Sequence, residues 1–273
     1  MPDLSVVVPV HNERDNIVPL LTEIAAALRG KADFEIVYVD DSSKDDSLAV
    51  LAAAKAQFPE LRVLRHLSQS GQSTALRTGI RAARGEWIAT LDGDGQNDPA
   101  DIPALWRIVQ DVGGDGQDAR LMIVGHRGQR QDSWSKRRAS AIANAVRRRL
   151  LRDDTPDTGC GLKLFPRALF LDLPYFDHMH RFLPALVLRE GGVVRLVLVN
   201  HRPRRRGVSK YGVLERLGVG IVDLFGVLWL RRRFATPELI EAETAPGEAP
   251  RGETAMRNAA PPLRAVRPEP ALR

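Results

Sequence analysis

The stretch LSVVVPVHNERDNIVPLLTEIAAALRGKADFEIVYVD (residues 4–40) decides the fold. Two short β-branched runs, LSVVVPV (4–10) and FEIVYVD (34–40), enclose Asn12–Gly30, in which Ile17, Leu20, Leu21, Ile24 and Leu28 recur at helical spacing. The order is therefore strand, helix, strand. Working outward, the pattern repeats: a helix from about Asp45 to Phe58, LRVLRH (61–66) and a helix over Thr74–Ala83, then EWIATLD (86–92) and a helix over Ile102–Val112. Four strand–helix units with nearly continuous apolar strands predict an α/β protein, its mostly parallel sheet covered by helices on both faces.

Ligands of such sheets bind beyond the carboxyl ends of the strands. Polar residues collect there: His11, Asn12 and Glu13; Asp40, Asp41, Ser42 and Ser43; Ser70, Gly71 and Gln72; Asp92, Asp94 and Gln96. Further along, Leu121–Val124, LKLF (162–165) and VVRLVLVNH (193–201) read as strands, Trp134–Leu151 as a very basic helix, and Phe182–Arg189 and Leu214–Leu230 as helices. After Arg233 the chain turns to Pro, Glu, Ala and Arg without an apolar period, and 236–273 are expected to be a disordered tail.

Charge is distributed unevenly over the 273 residues. The total, 40 Lys+Arg against 34 Asp+Glu, is +6, yet residues 1–99 hold 15 acids and 10 bases while 100–235 hold 25 bases and 13 acids. The front half suits a cation and the back half an anionic partner: phosphate, nucleic acid or membrane surface. The single Cys160 excludes an intrachain disulfide and any multi-cysteine zinc site. MPDLSVVVPV has no basic region before its apolar run, so no secretory signal is expected, and no run of 18 uncharged apolar residues is present. The expected location is the cytoplasm or the cytoplasmic face of a membrane, held peripherally.

The chemistry concentrates in TLDGDGQNDP (90–99). A buried strand that ends in Asp92-x-Asp94 brings two carboxylates to the mouth of a sheet, where they call for a cation. Hard oxygen donors favour Mg²⁺ or Mn²⁺, whose remaining positions go to water and diphosphate oxygens. A turn in which Asp and Gly only supply loop geometry is the plainer alternative.

VVVPVHNE (6–13), VDDSSKDDS (39–47) and SQSGQSTALRTGI (68–80), in this order before the D-x-D, resemble the family 2 glycosyltransferases with the GT-A fold. DGDGQNDP, GHR (125–127), Trp134-x-x-x-Arg138, DTGCGLKLF (157–165), HRFLPAL (180–186) and RRRGVSKYG (204–212) are similar to motifs of the polyprenyl-phosphate sugar transferases, the dolichol-phosphate mannose synthase group. The resemblance covers residues 4 to about 233.

It implies a Rossmann-like GT-A domain over 1–211 and an inverting enzyme that moves one sugar from a nucleotide sugar (GDP-mannose or a UDP-sugar) to undecaprenyl or dolichyl phosphate. Asp92, Asp94 and Gln96 would hold the metal, Asp40 the nucleotide, with Pro9, Asn12 and Glu13 shaping that pocket. Gly71 and Gln72 fall on a loop over the donor, and Asp41 is either part of the donor site or, with Ser42, a helix cap. Arg127, Arg138, Arg204 and Lys210 fall on phosphate-contacting positions, a role suited to the guanidinium fork. The neighbouring Arg137, Arg147–Arg149 and Arg205 either share that role or form a solvated or lipid-facing surface.

The family usually has Asp-x-Ser-Gly-Phe where this chain has Asp157-Thr158-Gly159-Cys160-Gly161, so Asp157 either orients substrate or holds the loop. Cys160 reads as a small packed residue, and His180 as an acceptor-side or structural residue. Segment 212–235 carries Glu215, Arg216 and Asp223, which makes spanning costly. An interfacial amphipathic helix, with Trp229 at the headgroups and Arg231–Arg233 on anionic lipid, fits better than a spanning one; a core or oligomer-interface helix is the alternative. A membrane-embedded partner would serve the same purpose.

Two competing functions fit less. A family 2 enzyme acting on a carbohydrate hydroxyl needs a catalytic base, and none follows the D-x-D. A nucleic-acid-binding protein would leave the ordered carboxylates idle, and 5% aromatics provide few stacking platforms.

Overall fold

The computed structural model describes residues 1–112, 120–127, 147, 149–151, 153, 155–203 and 213–235. Strands β1 (Leu4–Val10), β2 (Phe34–Asp40), β3 (Leu61–Arg65) and β4 (Trp87–Thr90) alternate with helices α1 (Arg14–Leu28), α2 (Ser47–Ala54), α3 (Gln72–Ala82) and α4 (Ile102–Val112). There follow β5 (Leu121–Arg127), β6 (Lys163–Pro166), α5 (Arg167–Asp172), α6 (Leu183–Arg189), β7 (Val193–Val199) and α7 (Val213–Arg232). Short 3-10 turns occupy Pro99–Asp101 and Met179–Arg181.

The seven strands form one sheet in the order β3-β2-β1-β4-β6-β5-β7. All neighbours run parallel except β6, which is antiparallel to β4 and to β5. The predicted α/β class and mostly parallel sheet are therefore observed. β1 explains the sandwich: Leu4, Val6, Val8 and Val10 pack with α1 and α4, whereas Val7 packs with α3 on the other face. Side chains alternate across a strand, so an unbroken apolar run is what a sheet covered on both faces requires.

Helix ends shift from the sequence reading for identifiable reasons. α1 starts at Arg14 because Asn12 is left-handed (φ 55°) and its Oδ1 accepts the Lys44 N–H at 2.6 Å. α2 starts at Ser47, whose N–H is received by Asp45 Oδ1 at 3.0 Å. Neither Asp41 nor Ser42 caps it.

One buried ion pair staples the sheet. Glu35 on β2 accepts from Ser5 on β1 (2.7 Å), from the Arg84 N–H (2.5 Å) and from Arg62 on β3 (2.6 Å). Burial pushes its carboxyl pKa up, but the Arg62 and Arg84 bonds outweigh this and hold it below its ordinary value. Such a depressed acid stabilises the fold above the unfolded-state value of about 4.3 and loses that contribution as pH falls through the folded-state value. Glu35→Gln is expected to cost about 1–3 kcal/mol at pH 7. In urea melts the difference from wild type should shrink on acidification below pH 4; a difference independent of pH would refute the ionic contribution.

α7 lies on the domain. Val227 is fully buried, Leu224, Leu228 and Leu230 pack against the core, and Arg189 donates to the Leu230 carbonyl at 3.1 Å. Its other face exposes Ile221, Val222, Phe225 and Trp229. No helix among the described residues is long and apolar enough to cross a membrane.

Candidate active site

The parallel strands bring their polar ends to one edge. At β2, Asp40 is fully buried; its Oδ1 accepts the Ser43 N–H (3.3 Å), while Oδ2 has no hydrogen bond and only Arg65 Nε at 3.6 Å. A buried carboxylate oxygen without a donor costs free energy unless a ligand supplies one. Pro9 is the β1 residue in register with Val39, one step from Asp40. Asn12 and Glu13 are tied to the β2–α2 loop through Ser43 Oγ and Ser47 Oγ, which accept their N–H groups at 2.9 and 3.1 Å, and Glu13 Oε2 receives Asn16 Nδ2 at 2.7 Å.

Asp41 has protein partners on both oxygens. Oδ1 accepts the Ser70 N–H (2.8 Å) and His66 Nδ1–H (2.7 Å), and Oδ2 the Gly71 N–H (2.8 Å). It fixes the loop before α3, in which Gly71 takes φ 87°, a conformation that favours glycine. Gln72 then opens α3 and donates from Nε2 to Asp92 Oδ1 at 2.8 Å.

Beyond β4 the chain makes a tight turn. Asp94 Oδ1 accepts the Gln96 N–H (3.1 Å), Asn97 Oδ1 accepts the Asp92 N–H (3.3 Å), and the Gln96 carbonyl accepts the Arg202 N–H (3.0 Å). Burial foremost, and then the charge of Asp94, push the Asp92 pKa up to about 6; Lys163, Arg127 and the Gln72 bond oppose the rise. A carboxylate whose ionisation is opposed by burial and then by a second carboxylate fits a divalent cation, which would favour its charged form. No cluster of three or more His, Cys, Asp or Glu occurs among the described residues, so protein carboxylates alone would leave most positions open. That donor set suits Mg²⁺ or Mn²⁺ shared with substrate phosphates.

The wall opposite is the loop 155–161. Gly161 lies so close to Asp92 that a Cβ there would strike Asp92 Oδ2 and Asn97 Oδ1. Gly161→Ala is expected to displace Asp92, destabilise the protein by about 1–3 kcal/mol and weaken metal binding. Unchanged metal affinity, read by isothermal titration, would contradict this packing.

Arg127, at the end of β5, grips Asp157 with both arms, Nε to Oδ2 at 2.5 Å and Nη2 to Oδ1 at 2.7 Å. Both side chains are largely buried. Asp157 thus holds the loop through Arg127, one of the two roles left open by the sequence. Cys160 is buried, its thiol pKa pushed up by burial, with Asn97 Nδ2 3.6 Å from its sulfur. It is a packed residue.

A cavity of about 340 Å³ opens between these walls, lined among others by Gln72, Asp92, Asp157, Lys163, His180 and Arg181. Burial, with the charges of Arg181 and Lys163, drives the His180 pKa well below its ordinary value, and Ser73 Oγ lies 2.7 Å from its Nδ1. His180 is thus a neutral wall residue.

Three features escaped the sequence reading. Arg147 is buried instead of lying on a solvated surface; it donates to Thr158 Oγ1 and to the Thr155 carbonyl and lies 3.4 Å from Asp153, bracing the loop of Asp157. Lys163, 5% exposed, brings an ammonium into the middle of the sheet. Gly161 is defined only by its neighbours across the site. Of these, Lys163 alone had a local signal: a charge inside the apolar run LKLF. Arg138, Arg204 and Lys210, with Arg137, Arg148 and Arg205, lie outside the described residues, as do most of 134–151 and all of 236–273.

The family described as Glycosyl transferase family 2 matches residues 5–173. Dodecaprenyl-phosphate galacturonate synthase of Rhizobium johnstonii is 37% identical over 245 residues, covering 86% of this chain and 69% of the relative. Undecaprenyl-phosphate 4-deoxy-4-formamido-L-arabinose transferase of Edwardsiella ictaluri is 35% identical over 221 residues, 79% of this chain and 65% of that one. Among solved structures, glucosyl-3-phosphoglycerate synthase from Mycobacterium tuberculosis with Mn²⁺, UDP and glucosyl-3-phosphoglycerate superposes with TM-score 0.61 at 17% identity, over 87% of this chain and 82% of that one. A mannosyltransferase from Pyrobaculum calidifontis with GDP-Man and Mn²⁺ gives 0.59 at 19%, over 86% and 66%. These two share the fold. With an acidic strand end facing a loop and a cavity between them, and a family match over more than half its length, the chain belongs to glycosyl transferase family 2.

Proposed function

We propose that this protein transfers a single sugar, with inversion, from a nucleotide sugar to a polyprenyl phosphate such as undecaprenyl phosphate. The observation that supports it best is the pairing of Asp92 and Asp94 at a buried strand end, with Asp92 held near pKa 6, on the rim of a cavity with a cationic wall. The named activities of the two relatives above agree with it.

Asp92 and Asp94, with Gln96, would hold Mg²⁺ or Mn²⁺, which when bound neutralises the diphosphate leaving group. Asp40 would accept from base or ribose through Oδ2, which has no hydrogen bond among the described residues, in a pocket shaped by Pro9, Asn12 and Glu13. Asp41 keeps Gly71 and Gln72 over the donor. Gln72, bonded to Asp92, fixes the orientation of that carboxylate. The acceptor phosphate is an anion at neutral pH, so its oxygen attacks the anomeric carbon without a general base. Arg127, Arg138, Arg204 and Lys210 would draw that phosphate in and offset its charge. The exposed Ile221, Val222, Phe225 and Trp229, ahead of Arg231–Arg233, would rest on the headgroups of an anionic membrane.

The test is a panel of nucleotide sugars in thermal melts with Mg²⁺, with Mn²⁺ and with chelator. A native-state ligand raises the melting temperature, so at least one donor should stabilise the protein only when metal is present. Stabilisation by none, or equally with chelator, would sink the proposal.

A further inference from the structure

We propose that Lys163 and Arg181 form an oxyanion-holding wall of the cavity, receiving an anionic group of a reactant: the carboxylate of a uronic acid donor or the phosphate of the acceptor. The inference rests on the sugar-transfer reading and adds to it the charge class of what the cavity takes.

Lys163 sits on β6, beside Thr90 on β4 and Val124 on β5 in register, and is 5% exposed. An ammonium in that position is costly to desolvate. Among the described residues its hydrogen bond is donated to the Cys160 carbonyl, and an ammonium has three donors. Arg181 reaches the same cavity from the turn Met179–Arg181. Both charges are felt by His180, which lines the same cavity.

The acids of the cavity, whose charges Lys163 also feels, make their hydrogen bonds to other partners. Asp157 is gripped by Arg127, and Asp92 faces Gln72 and the metal position. These are the only carboxylates lining the cavity among the described residues, so a cationic sugar substituent would meet no counter-charge. A neutral sugar would gain little from a buried lysine. A carboxylate or phosphate gains a charge-assisted bond from each cation.

The experiment measures, with full-length protein and Mn²⁺, the affinity for pairs that differ only in the C6 carboxylate: UDP-galacturonate and UDP-galactose, UDP-glucuronate and UDP-glucose, GDP-mannuronate and GDP-mannose. KM for undecaprenyl phosphate is measured alongside, and Lys163→Gln and Arg181→Gln are compared with wild type. If the anion is the donor carboxylate, wild type prefers one uronate by about tenfold or more in Kd, and each variant loses that preference while keeping its affinity for the neutral partner. If it is the acceptor phosphate, no pair is discriminated, and each variant raises KM for undecaprenyl phosphate by about tenfold at unchanged donor affinity. Unaltered donor preference and unaltered acceptor KM in both variants overturn the inference and leave the sugar-transfer reading intact. Should Lys163→Gln lower the melting temperature sharply, Arg181→Gln, on a turn instead of a central strand, decides alone. Binding of no nucleotide sugar at all defeats the underlying reading, and the inference with it.

Discussion

Asp94→Asn is expected to leave a folded protein that transfers sugar at least about 1000-fold more slowly, about 4 kcal/mol of transition-state stabilisation. The substitution removes half of the carboxylate pair and keeps the shape of the turn, because an amide oxygen still accepts the Gln96 N–H. It also removes the charge that helps push the Asp92 pKa up to about 6. Without metal, the variant should therefore be as stable as wild type or slightly more so, since a crowded like charge has gone. Stability and activity thus move in opposite directions, a pattern expected where a site stores unfavourable charge for a ligand. Chemical melts and initial rates across a metal titration would show it. Normal turnover at saturating metal would exclude Asp94 from the metal site.

Arg127→Ala is expected to be the most damaging substitution for the fold itself. It strands Asp157, a buried carboxylate, and removing one partner of a buried pair costs about 3–5 kcal/mol. Replacing both residues, Arg127→Leu with Asp157→Leu, should recover much of the stability, because the unpaired charge disappears with its partner. Activity should not return, since the guanidinium proposed to draw in the acceptor phosphate is lost as well. If the double variant were as unstable as Arg127→Ala, uncompensated charge would not be the cause. If it were fully active, Arg127 would have no role toward the acceptor.

Much of this architecture was legible before any coordinates, because its signals are local. β1 and β2 declare themselves by Val- and Ile-rich runs, and the Asp92-x-Asp94 turn by its spacing at the end of an apolar strand. Helix ends moved where a side chain from a distant segment intervened, as Asn12 does by accepting from Lys44. The acidic half of the site could be read because each pair of carboxylates, Asp40 with Asp41 and Asp92 with Asp94, stands at the end of one strand. The opposite wall could not, since Lys163, Arg181 and Gly161 gain their meaning from neighbours on distant segments, such as Asp92 for Gly161. Arg147 shows the same limit: in sequence it is one of three adjacent arginines, and only the fold separates the buried one from a surface reading.

The central claim is metal-dependent sugar transfer to a lipid phosphate. Its most direct test incubates the protein with a radiolabelled nucleotide sugar that stabilises it and with undecaprenyl phosphate, and follows label moving into the organic phase. Labelled lipid is expected in the presence of Mg²⁺ or Mn²⁺, abolished by chelator and by Asp94→Asn, and none when undecaprenol replaces its phosphate. Labelled lipid formed equally well with chelator, or with the free alcohol as acceptor, would contradict it.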